Sequence, residues 1–221
     1  MLSDLEIIAL AELGMITPFV DTQVRVIEHR ESIIPAISFG LSGYGYDARL
    51  SDQDVWVSKS AAQTMSYDKA RRDAFLRDDY AEPFSDLPLE INPKDFTVER
   101  HMKPGVIDED RYGRYFHIPA RGFCLCRSIE RFVMPPHVTA LVFEKSTTSR
   151  AGLSGLMTPA EAGWAGHYVF EFTNPWDIPF RMSIGEGIAQ FVFFEGSPAA
   201  MPYHMRKSPK YQDQVFMGPR V

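Results

Sequence analysis

Cysteine is nearly missing from this chain: Cys124 and Cys126 are the only two among 221 residues. Two residues apart on a strand, they point to the same side, and such near neighbours rarely close a sound disulfide. No apolar run approaches the roughly 20 residues that cross a bilayer, and the N-terminus has no signal-peptide pattern. These absences exclude a disulfide scaffold and a helical membrane protein, and they set the expectation of a reducing, cytoplasmic location. An excess of positive charge is also lacking. Lys and Arg number 23 against 29 Asp and Glu, a formal net charge of −6. That balance argues against a broad nucleic-acid-binding face but leaves room for a local basic pocket that holds a small anion. Repeats, linkers and low-complexity blocks are missing as well, so 1–221 reads as one domain. What is present is an ordinary globular composition, 45% apolar and 24% charged, on a chain long enough for a sizeable core.

Ser3-Asp4-Leu5-Glu6 is a capping box opening a helix that Gly14 stops. Beyond Pro18 the chain breaks into short apolar runs separated by Pro and Gly: Val24–Ile27, Val55–Val57, Gly122–Cys126, Thr139–Phe143, His167–Thr173, Phe180–Ile184 and Ile188–Phe194. Strands at this spacing predict a mainly β fold, a barrel or a sandwich, with one short N-terminal helix. Two charged stretches, 60–90 and 101–114, read as insertions on the surface, the alternative being a lid or an oligomer contact; Asp68–Leu76 is compatible with a helical turn or two. The tail 203–221 is basic and polar at Tyr203–Gln214, with little in its composition to anchor it.

Chemistry concentrates between Glu144 and Phe172. Lys145-Ser146-Thr147-Thr148-Ser149-Arg150 is a hydroxyl-rich loop with a cation at each end, a combination that suits phosphate oxygens. By itself it also reads as a polar turn with a helical start after Ser146. Tyr168-Val169-Phe170-Glu171-Phe172 is an aromatic strand with one carboxylate. Alternation puts Val169 and Glu171 on one face and the three aromatic rings on the other. Glu171 is then either an exposed strand acid paired with a cation or a poorly hydrated carboxyl whose pKa rises. A phosphate cradle near such a group points to an enzyme acting on a nucleotide.

Six motifs in order carry a resemblance. They are Gly43-Tyr44-Gly45-Tyr46-Asp47-Ala48-Arg49, Asn92-Pro93-Lys94-Asp95-Phe96, Lys145-Ser146-Thr147 with Arg150 and Gly152, Glu171-Phe172 with Asn174, Gly185-Glu186-Gly187-Ile188-Ala189-Gln190 with Phe193-Phe194-Glu195, and Lys210-Tyr211-Gln212 with Gln214. Through them the chain resembles the dCTP deaminase family of the dUTPase-like superfamily. The resemblance implies a distorted, jelly-roll-like β-barrel (a β-clip) assembled as a homotrimer with active sites shared between subunits. It implies hydrolysis of dCTP to dUTP and ammonia, with Mg²⁺ carried on the triphosphate, no protein ligand to the metal, and no zinc. The zinc deaminase signature, His-x-Glu with Pro-Cys-x-x-Cys, is missing here. The resemblance further implies dUTP as product and dTTP as an inhibitor in some members, for which no residue here speaks.

Carried over residue by residue, the resemblance makes Glu171 the proton carrier, with Ser146 and Arg150 completing the catalytic group. Lys145, Ser146, Thr147, Thr148, Ser149 and Arg150 would hold the triphosphate. Ser146 would also hold the attacking water with a main-chain carbonyl of the Thr158-Pro159 step. Glu161 would meet the deoxyribose 3′-hydroxyl, Val169 and Phe170 the base through their backbone, and Gln190, Tyr203, Lys210 and Gln214 the rest of the nucleotide. The tail 203–221 would be flexible, disordered or displaced without nucleotide, and would close over the ligand on binding. Asp47 and Arg49 read as a structural pair supporting the site, Tyr44 and Tyr46 as holding the preceding loop, and the three tryptophans as packing or turn residues. The nearest rival is dUTP hydrolysis, alone or combined with deamination. It needs an Asp and a Tyr that Met157–Trp164 does not supply. Two further rivals are a nucleotide-binding regulator without turnover and a deaminase of a modified or differently phosphorylated deoxycytidine.

Overall fold

The computed structural model describes residues 1–59, 91–94, 96–214 and 218–219. The stretch expected as an insertion at 60–90, including Asp68–Leu76, lies outside the described residues.

Helix α1 (Asp4–Glu12) begins as the capping box requires, with the Ser3 backbone N–H donating to Glu6 Oε2 at 2.8 Å. It buries Ile7 and Ala11, and Gly14 at φ +92° ends it. The strands follow as β1 (Ile16–Thr17), β2 (Gln23–His29), β3 (Ser32–Ser42), β4 (Gly45–Arg49) and β5 (Trp56–Ser58). A single-turn helix α2 (Val98–His101) leads into β6 (Met102–Pro104), β7 (Asp108–Asp110), β8 (Gly113–Ile118), β9 (Phe123–Val133) and β10 (Val138–Glu144). After α3 (Ser146–Arg150) come β11 (Ser154–Leu156), β12 (Ala165–Thr173), β13 (Phe180–Ser183), β14 (Gly187–Glu195) and a 3₁₀ turn at Tyr203–Met205.

The strands form three antiparallel sheets. One runs β11-β12-β9-β5-β6 with β1 added on β9, the second β10-β14-β4-β3-β2, and the third β13-β8-β7. The mainly β expectation holds; the sheets stay open and share one core. Phe170 and Phe172 of β12, Cys124, Cys126 and Phe132 of β9, Tyr46 and Ala48 of β4, and Phe191 and Phe193 of β14 all point into it. Phe132 and Phe191 stack across the two larger sheets at 4.3 Å. Both cysteines are free and buried, and burial pushes the Cys126 thiol well up.

Three expectations change. The 101–114 stretch is not a bare excursion. It carries β6, which pairs with β5, and β7, which pairs with β8. Tyr46 is no loop support: it sits in β4, fully buried, with its hydroxyl donating to Glu130 at 3.2 Å. Asp47 and Arg49 do not pair with each other. Arg49 Nε meets buried Glu130 at 2.7 Å, and Asp47 takes Lys145 Nζ at 2.6 Å. Alternation explains this, because both residues leave β4 on the face away from the core and find partners brought by other strands.

Candidate active site

The loop half of the site starts where β10 ends. Glu144 Oε2 accepts from Ser149 Oγ at 2.6 Å, and its other oxygen accepts from the Gly155 N–H. Thr148 Oγ1 donates to Lys145 O at 2.9 Å. These bonds wind residues 146–150 into one helical turn, as the polar-turn reading of the loop allowed. Lys145 is buried, its ammonium also reaching Ser38 Oγ at 3.1 Å, so it holds the loop down rather than facing solvent. Ser146, Thr147 and Arg150 are exposed, and Arg150 has no ion-pair partner among the described residues. Gly152 follows at φ +85°, where a Cβ would lie 2.7 Å from Trp176 Nε1. That indole donates to Ala151 O at 3.0 Å, which gives Trp176 a packing role.

The other half is a cavity of about 990 Å³ on the outer face of the sheet that contains β12. Seven of the residues chosen from the sequence line it: Pro159, Glu161, Val169, Glu171, Tyr203, Lys210 and Gln214. The alternation of β12 works as expected, with Phe170 and Phe172 fully buried and Val169 and Glu171 half-buried on the opposite side. The strand register sets Leu125 of β9 directly across from Glu171. Leu125 belongs to a second apolar cluster with Val98 and Met102, against which Phe96, Phe123 and Val169 pack. Glu171 therefore faces an apolar wall, and burial raises its carboxyl above the ordinary value. None of the described ion pairs includes it.

Not every chosen residue reaches the cavity. Lys145–Arg150 and Phe170 do not line it, and Gln190 lies on β14 opposite Phe143 and Asp47, in the other large sheet. Within one protomer the 145–150 turn and the cavity are thus separate features.

Tyr168 and Arg206 also line the cavity, and the sequence reading gave neither a role in the site. Tyr168 packs its ring on Phe170 and Phe191, as an inward aromatic should, but its hydroxyl accepts from Thr158 N–H at 2.8 Å and donates to the Thr158 carbonyl. Burial pushes this phenol up to about 12, so it stays a neutral donor. The one available signal was a Tyr standing beside two Phe on the inward face. Arg206 grips Glu161 with both guanidinium nitrogens, Nη1 donating to Oε1 at 3.1 Å and Nη2 to Oε2; in the sequence it was one cation in a basic tail.

The tail through Gln214 is anchored, contrary to its composition. Tyr203 N–H donates to Ala162 O at 2.8 Å, Asp213 N–H donates to Ala165 O at 2.8 Å, and Trp164 Nε1 donates to Tyr211 O at 2.8 Å. Arg131 adds an ion pair to Asp213 at 2.6 Å.

Among the described residues no group of three or more His, Cys, Asp or Glu could hold a metal ion. The donors beside Ser146–Arg150 are hydroxyls and a guanidinium, which suit phosphate oxygens and not a cation cage. No described helix is long and apolar enough to cross a membrane.

Residues 1–196 match the family described as dCTP deaminase-like. The chain is 32% identical over 204 residues to the dCTP deaminase of Alcanivorax borkumensis, covering 92% of this chain and 89% of that one. Against the dCTP deaminase of Herpetosiphon aurantiacus it is 33% identical over 212 residues, 95% and 92% of the two chains. Against that of Chlamydia muridarum it is 34% identical over 203 residues, 92% and 88%. A crystal structure of 2′-deoxycytidine 5′-triphosphate deaminase from Agrobacterium tumefaciens superposes at a TM-score of 0.45 with 15% identity, over 88% of this chain and about half (47%) of that one. With a family match across most of its length and relatives above 30% identity over nine-tenths of it, the chain belongs to the dCTP deaminase-like family.

Proposed function

We propose that this protein hydrolyses dCTP to dUTP and ammonia, with Glu171 carrying the protons. The observation that carries the reading is Glu171 itself: a carboxyl on an apolar cavity wall, without a counter-ion among the described residues and raised by burial. Deamination needs one such group at three moments, and a pKa lifted toward neutrality suits both taking and giving a proton. Water adds through its oxygen to C4 of the cytosine ring while Glu171 takes one of its protons. The carboxylic acid protonates N3, the hydroxyl proton of the adduct then passes by way of Glu171 to the exocyclic amine, and the C4–N bond breaks to release ammonia. The Thr158 carbonyl, with Tyr168 fixed against it, and the Ser146 hydroxyl hold the water. Val169 and Phe170 present backbone groups to the base, and Glu161 accepts from the sugar 3′-hydroxyl. Tyr203, Lys210 and Gln214 cover the nucleotide from the tail.

The triphosphate is bound by exposed Ser146, Thr147 and Arg150 of a neighbouring protomer, which lie outside the cavity of their own chain, while Thr148 and Ser149 use their hydroxyls to hold the turn together. We accordingly propose a homotrimer with shared sites. Exposed Leu141 and Phe143 on edge strand β10 and Leu156 on edge strand β11 supply apolar surface for such contacts. Mg²⁺, when bound to the triphosphate oxygens, would neutralise part of their charge.

The test is a product assay on dCTP. We expect dUTP and ammonia; dUMP with pyrophosphate would transfer the chain to the dUTP-hydrolysing reading. A panel of CTP, dCMP and 5-substituted dCTP fixes substrate choice, and light scattering fixes the assembly.

A further inference from the structure

Five consecutive residues of one turn are each bonded to the tail. Glu161 is held by Arg206, Ala162 O accepts from Tyr203 N–H, Gly163 O lies 3.1 Å from His204 Nδ1, Trp164 Nε1 donates to Tyr211 O, and Ala165 exchanges bonds with Gln212 and Asp213. The approach is so close that a Cβ on Gly163, itself at φ +80°, would lie 2.6 Å from Pro202 Cβ. Four of these five engage main-chain groups or the indole of the turn and join the two segments whatever Glu161 does. The Arg206–Glu161 fork stands apart, because it fixes a side chain inside the cavity.

Its geometry is specific. The guanidinium lies 4.8 Å over the Tyr203 ring, and the Tyr203 hydroxyl accepts from Tyr211 N–H at 3.0 Å. Arg206 is thereby oriented before it touches Glu161. A carboxylate has about four acceptor positions. The two-pronged contact occupies two and leaves two, while fixing the plane of the group. Both side chains are 43% exposed, so an ion pair of this kind contributes little to folding; its effect is orientation.

We propose that Arg206 is a positioning residue: it fixes the Glu161 carboxylate as the acceptor for the 3′-hydroxyl of the nucleotide sugar and so couples tail docking to sugar recognition. This rests on the reading of Glu161 given above.

The full-length protein is assayed on dCTP and on 2′,3′-dideoxy-CTP, which lacks the hydroxyl. Arg206→Met is expected to raise KM for dCTP roughly tenfold with kcat within about twofold, and to change kcat/KM for the dideoxy substrate by less than about twofold. Arg206→Lys, which keeps the charge without the planar fork, should recover only part of the loss. Glu161→Ala, which removes the acceptor altogether, should erase the preference for dCTP over the dideoxy compound, and adding Arg206→Met to it should cost nothing further. If Glu161→Ala leaves that preference intact, the sugar role of Glu161 is wrong and the proposal falls with it. If Glu161→Ala erases the preference but Arg206→Met weakens both substrates equally, the sugar role stands and the positioning role is overturned.

Discussion

Asp47 and Glu171 face the same problem on the outer faces of two different sheets. Each is an acid withdrawn from water on a strand whose alternate residues fill the core. Asp47, fully buried, is matched by the ammonium of Lys145 at 2.6 Å and by Gln23 Nε2 at 3.2 Å. Glu171 is matched by no described cation and looks onto Leu125 and its apolar neighbours. The first arrangement offsets part of the cost of burying charge, and it secures the start of α3. The second leaves that cost in place. An unrelieved acid in a cavity is what proton transfer requires, and it is at functional sites that a fold tolerates such a conflict.

The largest effect is expected at Glu171. Glu171→Gln should lower turnover of dCTP by more than about 10³-fold while nucleotide affinity, read by calorimetry, changes little. Asp47→Ala should act on the fold instead. It strands Lys145 as an uncompensated buried charge, and urea unfolding should show a loss of about 3–5 kcal/mol. Arg150→Ala sits between these cases. Its side chain is exposed and has no ion-pair partner among the described residues, so unfolding should be unchanged, while kcat/KM falls about 10²-fold through lost phosphate contact.

The smallest effect is on stability and separates the two acids by their titration. The Glu171 pKa is raised in the folded state, so its ionisation destabilises the fold at any pH above that raised value. Glu171→Gln should therefore raise the melting temperature at neutral pH. The gain should shrink as pH falls through the raised pKa and disappear below the ordinary glutamate value, where both states are protonated. The same titration predicts an acid limb in the pH profile of kcat/KM that lies above the normal carboxylate range.

Periodicity made much of this legible. The alternation in His167–Thr173 placed Glu171 and Val169 opposite the buried rings, and the capping box placed α1. What failed was long-range. The Asp47–Lys145 pair joins residues 98 positions apart, and no local pattern links them. Strand β3 was missed because Pro35 and Gly40 interrupt it; Pro35 sits opposite Val26 beside a register shift. The tail misled because its attachment runs mainly through backbone groups, which composition does not reveal. That Lys145 faces inward escaped for the same reason as Asp47: the phosphate-loop pattern specifies residue types, and the partner that claims the ammonium comes from another strand far away in sequence.

Sealing both native thiols inside the core has a practical outcome. Maleimide reagents should leave the folded wild type unlabelled, so a cysteine introduced at exposed Lys207 becomes a unique attachment point for a fluorophore. A dye there would report in real time whether residues 203–214 lift from the body as nucleotide enters and leaves.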